Sequence, residues 1–325
     1  MKRAWTGLLV ALALPLGCGA RDPGIDPGAW QAPLGREHPL SGRIWDVAAA
    51  RFVPAEAVGA RLAGAKYVLL GERHDNPDHH RVQTALVRAL VAAGRRPAVA
   101  FEMFSADDAG AIARHLAAAP RDGAGLAGAV GWARSGWPSW SFYQPIVQTA
   151  LDAGLPIVAG NLPPRTARAL ARGDRTVLPA GLAERYALDR PLPDGGQAAL
   201  AAEIGASHCG HLPRDRIDGM VLAQRARDAA LAESMVTSGG DGAVLIAGTG
   251  HVRTDRGVPV YLRAREPGAG IAVVAPLEVR DEWRRPADYA TALGGRFPYD
   301  WVWFTPRLDD VDPCARLPRS SAVTG

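Results

Sequence analysis

The chain reads as an α/β fold, a mainly parallel sheet with helices on both faces and a helical insertion. Two observations predict it. Short aliphatic runs (Tyr67–Leu70, Ala98–Phe101, Leu155–Ala159, Ala243–Ala247) alternate with longer stretches of helical period, the pattern of βαβ units. Each run also ends in glycine or a polar residue, so the chain turns at the carboxyl end of a buried strand, where open α/β sheets bind their ligands.

The elements follow in order. Ser41 to Val53, with Ile44 and Trp45, predicts an opening hairpin or edge strand, and a helix is expected from about Pro54 to Leu62. After the strand Tyr67–Leu70, Asn76-Pro77 has the form of an N-cap followed by proline at the first helical position. Val82, Leu86 and Leu90 give the apolar stripe of a helix that stops at Gly94. Ser105-Ala106-Asp107-Asp108 has capping-box character, with Asp in place of Glu, and opens a helix to about Ala119. Asp122 to Trp140 is expected to be irregular or short-helical, and Tyr143 to Ala153 helical. Residues 165 to 212 form the insertion. A long helix runs from about Asp215 to Met235. Pro259–Arg263 and Ile271–Val274 are expected as short strands, and Trp301–Phe304 as an edge strand.

Bulk composition narrows the function. A net charge of +4 over 325 residues, with only Lys2 and Lys66 as lysines and the arginines interspersed with acids, gives no reason to expect a nucleic-acid partner. At the N-terminus, Lys2-Arg3, the apolar run Leu8 to Leu16 and then Gly17-Cys18 have the layout of a secretory signal peptide. Leu14-Pro15-Leu16-Gly17-Cys18 resembles a bacterial lipobox, departing from the usual pattern at Pro15. The expected division is a signal peptide over 1–17, a lipid-anchored Pro/Gly-rich linker over 18–40 from a lipidated Cys18, a folded domain over 41–310 and a tail over 311–325. Cys209 and Cys314 could pair in an oxidising compartment, but two cysteines do not show that they meet.

The candidate chemistry lies where the strands end. Glu72 and His74 follow the first strand, Glu102 the second, Asn161 the third and His251 the fourth. Neighbouring strands run about 5 Å apart, so parallel strands bring these groups to one rim. Two imidazoles and two carboxylates suit a divalent metal, with His79 as a further ligand because it shares a face with Val82 and Leu86. They suit acid–base catalysis equally. Gln224, Arg227 and Asp228 share one side of the long helix, where Arg227 either neutralises rim carboxylates, holds a ligand acid group, or makes a surface ion pair. His208-Cys209-Gly210-His211 matches no zinc-knuckle spacing. The group Trp132, Trp137, Trp140, Phe142 and Tyr143 is a core patch or a flat surface for a planar ligand.

Taken together, Leu70-Gly71-Glu72-Arg73-His74-Asp75-Asn76 with His79, Phe101-Glu102-Met103-Phe104, Tyr143-Gln144-Pro145-Ile146, Ala159-Gly160-Asn161, His208 to Pro213, Gln224 with Arg227-Asp228, Ala247 to His251, and Tyr299-Asp300-Trp301 resemble the ChaN family of haem-binding uptake lipoproteins. That family is related to the Tiki, TraB and erythromycin-esterase proteins. The resemblance spans residues 40 to 305. It implies a palmitate-bearing membrane lipoprotein of the cell envelope, preferably on the outer membrane facing the periplasm, that works with an outer-membrane haem/iron transport system in iron acquisition, as a possible homodimer. It implies reversible haem binding with a tyrosine iron ligand, for which Tyr143 is the first candidate and His211 an outside one, with Arg227 near the cofactor. There is no Cys-x-x-Cys-His motif for covalent attachment. The esterase relatives imply the alternative, a divalent-metal-dependent peptidase- or esterase-like hydrolase using Glu72, His74, Glu102 and His251.

Overall fold

The computed structural model describes residues 29–312 and 314–315; the proposed signal peptide, Cys18, the first part of the proposed linker (18–28) and most of the proposed tail lie outside them. Eight strands form one sheet: β1 (Ile44–Asp46), β2 (Arg51–Val53), β3 (Tyr67–Leu70), β4 (Ala98–Ser105), β5 (Ile157–Asn161), β6 (Ala243–Ile246), β7 (Ile271–Glu278) and β8 (Trp301–Thr305). Their order is β2-β1-β8-β7-β3-β6-β4-β5. From β8 to β5 all neighbours are parallel, and the β1–β2 hairpin adds to β8 antiparallel. The mainly parallel sheet expected from the alternating pattern is therefore present.

Period-two alternation splits the core across the sheet. Tyr67, Leu69, Ala98, Ala100 and Leu245 face one side. Val68, Leu70, Val99, Phe101, Val244 and Ile246 face the other. The second side is covered by α1 (Ala55–Ala63), α2 (Pro77–Ala92) and α5 (Trp140–Asp152). In α2 the Asn76 side chain caps the Asp78 N–H at 2.9 Å, and Val82, Leu86 and Leu90 are buried, as the stripe predicts. The first side is covered by the insertion helices α6 (Pro164–Ala171), α7 (Leu182–Arg185) and α8 (Gly196–Ser207), by α9 (Arg214–Thr237) and by α10 (Val258–Arg265). The short helices α3 (Ala109–Ala118) and α4 (Gly123–Ala129) bury Ile112 and Leu126 in the same second-side core, and α11 (Pro286–Ala292) precedes β8.

Three local expectations are corrected. Pro259–Arg263 lies in helix α10, because Pro259 near its start suits the first helical turn and Val258, Tyr261 and Leu262 bury one side of a helix. Trp301–Phe304 is an interior strand between β7 and β1 rather than an edge. Residues 30–40, expected within the linker, pack on the domain: Trp30, Ala32 and Leu40 are buried, and the buried Asp78 carboxylate accepts the Gln31 and Ala32 N–H groups at 2.8–3.0 Å. Cys209 and Cys314, whose pairing the sequence left open, are joined at 2.04 Å.

One glycine sets how the insertion meets α9. A β-carbon at Gly219 would stand 2.5 Å from the Ala171 carbonyl oxygen, so only glycine allows α6 to cross α9 this closely. Gly219→Ala is expected to lower stability by about 1–2 kcal/mol in urea unfolding, overpacking outweighing the gain in helix propensity.

Candidate functional site

Strands β3, β6, β4 and β5 lie side by side and parallel, so their carboxyl ends deliver Glu72, His251, Glu102 and Asn161 to one rim. Glu102 lies inside β4 rather than after it. It comes directly after Phe101, the last β4 residue paired with β6, where the register with β5 also shifts. That irregularity turns its carboxylate towards the loop after β6.

Glu102 ties three elements together. Its Oε2 accepts the Gly248 N–H at 2.7 Å. Its Oε1 accepts from Arg227 Nη2 at 2.6 Å and faces His251 Nε2 at 3.2 Å. Asn161 braces the arrangement, donating to the Glu102 carbonyl at 2.7 Å and accepting from Arg227 Nε at 3.3 Å. On the far side of the imidazole, His251 Nδ1 meets Asp228 Oδ1 at 2.5 Å. Burial disfavours charge on His251, but the Glu102 and Asp228 carboxylates outweigh it and raise its pKa to about 9. Burial would likewise raise Glu102; His251, Arg227 and His74 instead hold it well below the ordinary carboxylate range. For Asp228, with His251 as its close partner, burial prevails and the pKa is raised.

Glu72 anchors a second group. Its Oε1 accepts from the Tyr143 hydroxyl at 2.9 Å and pairs with His74 Nδ1 at 2.8 Å. Its Oε2 faces His80 Nδ1 at 3.3 Å without hydrogen-bond alignment. Burial opposes the Glu72 charge, yet His80 and His74 lower its pKa. Burial also opposes protonation of His74, but Glu72 and Glu102 raise its pKa. The two groups meet where His74 Nε2 stands 3.9 Å from Glu102 Oε2. A β-carbon at Gly248 would lie 3.0 Å from the His74 ring, so glycine is what lets that loop close on the imidazole.

Sequence reasoning thus brings Glu72, His74, Glu102, His251, Asn161 and Arg227 together. It misplaces His79, whose Nδ1 accepts the Arg73 N–H at 2.7 Å and whose Nε2 meets Thr305 Oγ1 at 2.9 Å; its neighbour His80 is the one beside Glu72. The apolar stripe of Val82 and Leu86 carries His79 towards Thr305 on β8 instead of the rim. It also undervalues Asp228, although Asp228 follows Gln224 by one helical turn. The divalent-metal centre expected of Glu72, His74, Glu102, His251 and His79 is not assembled: among the described residues no three His, Cys, Asp or Glu could hold one ion. The carboxylates are spent on imidazoles, a guanidinium, a phenol and a backbone N–H, and Arg227 brings positive charge where a cation would sit.

The aromatic group is mostly core. Trp132 packs on Trp140 and Tyr143 at 4.7 and 5.1 Å between ring centroids, while partly exposed Trp137 meets His74 edge-on at 5.0 Å. Tyr143 is fully buried. Burial and the neighbouring Glu72 carboxylate push its pKa well above the ordinary phenol value. All six tyrosines are in fact buried. His211 is exposed in the turn between α8 and α9.

Beside the rim a cavity of about 380 Å³ opens between α6, α8 and α9. Leu200, Ile204, Met220 and Ala223 form apolar wall, and Gln224, Arg227 and Asp228 join it to the rim. This is the size and character of a small-molecule or cofactor site.

A model of the family described as haem-binding uptake, Tiki superfamily, ChaN, matches residues 58–262. The chain belongs to this family. Among solved structures, that of cofacial haem binding to ChaN of Campylobacter jejuni superposes with a TM-score of 0.62 at 20% identity, over 80% of this chain and 95% of that one, and so shares the fold. A variant of the erythromycin esterase EreC in its open conformation gives 0.43 at 15% identity over 78% and 95% of the two chains. The type III effector HopBA1 gives 0.42 at 16% over 77% and 92%. No curated protein sequence matches. For a ChaN-family chain the residues of the cavity suit a haem in kind: apolar walls for the macrocycle, and Arg168 on the lining for a carboxylate, while Arg227 and Arg256 are paired with Glu102 and Glu203.

Proposed function

We propose that this protein binds haem reversibly and serves haem or iron acquisition in the bacterial envelope, anchored through a lipidated Cys18 to the outer membrane on its periplasmic side, as a homodimer beside an outer-membrane transport system. The observation that carries the reading is an apolar, arginine-edged cavity in a chain of the ChaN family. The Cys209–Cys314 bridge supports an oxidising compartment. Among the described residues no helix is long and apolar enough to cross a membrane, and lipid on Cys18 would supply the attachment instead. Bound haem would supply redox-active iron as cargo; the protein supplies the slot and the cations.

Protein incubated with hemin and then desalted is expected to retain haem in fixed ratio to chain. At a hundredfold excess over Kd, unfolding should be harder by about 2.7 kcal/mol. A chain that elutes colourless and melts unchanged would contradict the reading.

One observation favours a second reading, acid–base hydrolysis: Asp228, which lines the cavity, is linked through His251 to Glu102. It ranks second because Glu102, well below its ordinary pKa and held by three donors, is a poor base. Ester or peptide hydrolysis by the wild type, lost in His251→Ala and His74→Ala, would put it first.

A further inference from the structure

We propose that helix α8 is a lid on the cavity between α6, α8 and α9, held shut by the Cys209–Cys314 disulfide and released when a dithiol reduces that bond. The lid works in the same way whatever ligand the cavity takes. Leu200, Glu203, Ile204 and Ser207 of α8 form part of the cavity wall, so the position of this helix decides whether that side is closed. Yet α8 is lightly held. Of its 12 residues only Gly196 and Leu200 are buried, the profile of an element that opens locally at low cost. Glu203 pairs with Arg256, but it is exposed, where such pairs hold weakly.

Both ends of the helix are built as joints. Asp194 and Gly195 enter it at φ +52° and +76°, and Cys209 and Gly210 leave it at +57° and +71°. At the exit the Cys209 N–H donates to the Ala206 carbonyl at 2.9 Å and the Gly210 N–H to the Gly205 carbonyl at 3.0 Å, the paired bonds of a Schellman end. The left-handed position of that motif normally takes glycine, because a β-carbon is disfavoured there. Here it takes a cysteine, whose sulfur makes a covalent tie to Cys314. The segment before Cys314 is bound to the domain at three consecutive residues. Arg307 pairs with Leu34 through the backbone, the Leu308 N–H donates to Glu278 at 2.9 Å, and Asp309 meets Arg73 at 3.0 Å. The bridge therefore moors the end of α8 to a firmly held segment 105 residues away in the chain.

Both cysteines are only partly buried, so a thiolate can reach them. One thiolate of the dithiol attacks either sulfur, forming a mixed disulfide and expelling the other cysteine. The second thiol then closes the reductant's own disulfide and frees the remaining cysteine. Two electrons and two protons pass from the dithiol to the protein, which ends with two thiols. α8 is then left with its small buried area and the Glu203–Arg256 pair.

The test compares the mature chain before and after dithiothreitol with the Cys209→Gly/Cys314→Ser variant, using circular dichroism to confirm folding. Glycine suits the left-handed position, so the variant removes the tie and keeps the helix end. In both, hydrogen exchange over residues 196–208 is expected to quicken at least about tenfold more than in β3 and β6. Peroxide should oxidise Met220, in the cavity wall, faster in the variant than in the wild type, beyond any change at Met103 and Met235 in the core. Unchanged exchange in α8, or an unchanged Met220 rate, would overturn the proposal. Equal quickening of α8, β3 and β6 would also overturn it, since the bridge would then stabilise the whole domain instead of holding a lid. None of these measurements uses hemin, so their outcome stands apart from the haem reading.

Discussion

Glu102→Leu is expected to destabilise the protein by about 3–5 kcal/mol, the cost of removing one partner from a buried ion pair. The carboxylate is the shared acceptor of Arg227, His251 and the Gly248 N–H. Without it, two cationic groups and a buried backbone donor are left facing each other. Their repulsion acts between α9 and the loop after β6, the elements that border the cavity. Glu102→Gln keeps an oxygen for one donor but not the charge, and should fall between wild type and Leu. Chemical denaturation of the three proteins measures the series. Equal stability of wild type and Glu102→Leu would mean that these contacts do not hold the rim together.

Stability is also expected to fall as the medium becomes alkaline. The folded pKa of His251, about 9, lies above the roughly 6.5 of a free imidazole, so its contribution is complete below about pH 6.5 and disappears as pH rises through 9. The difference corresponds to about 3 kcal/mol. His74, also raised, acts in the same sense. Glu72 and Glu102 are lowered, so theirs is present above about pH 4.5 and lost in acid. Asp228, raised by burial, works the other way in acid and blunts that loss. Thermal melts should therefore peak between about pH 4.5 and 6.5, and Tm should drop by roughly 5 °C between pH 6 and 9.5. In His251→Asn most of the alkaline drop should vanish. A wild-type Tm flat across that range would show that His251 is not held protonated.

Much of this arrangement is legible in the amino-acid sequence. Residues that end adjacent parallel strands must share a rim, so Glu72, Glu102, Asn161 and His251 could be placed together from chain order and apolar runs alone. What the runs do not encode is the phase of a helix near its first turn, hence the exchange of His79 for His80. Nor do they encode a partner more than twenty residues away. Asp228 looks like an ordinary helical acid until α9 is laid against the loop carrying His251. The cavity was invisible for the same reason. It exists because Gly219 lets α6 cross α9 closely and α8 closes the side, and no local pattern states that three helices will leave a space.

The central claim, that the chain is a reversible haem carrier, is tested most directly by titrating the wild-type protein with hemin at neutral pH and following the Soret band. The account predicts a saturable band shifted from that of free hemin, reaching its plateau at a fixed ratio of haem to chain. A spectrum that grows without limit as the simple sum of protein and free hemin would contradict it.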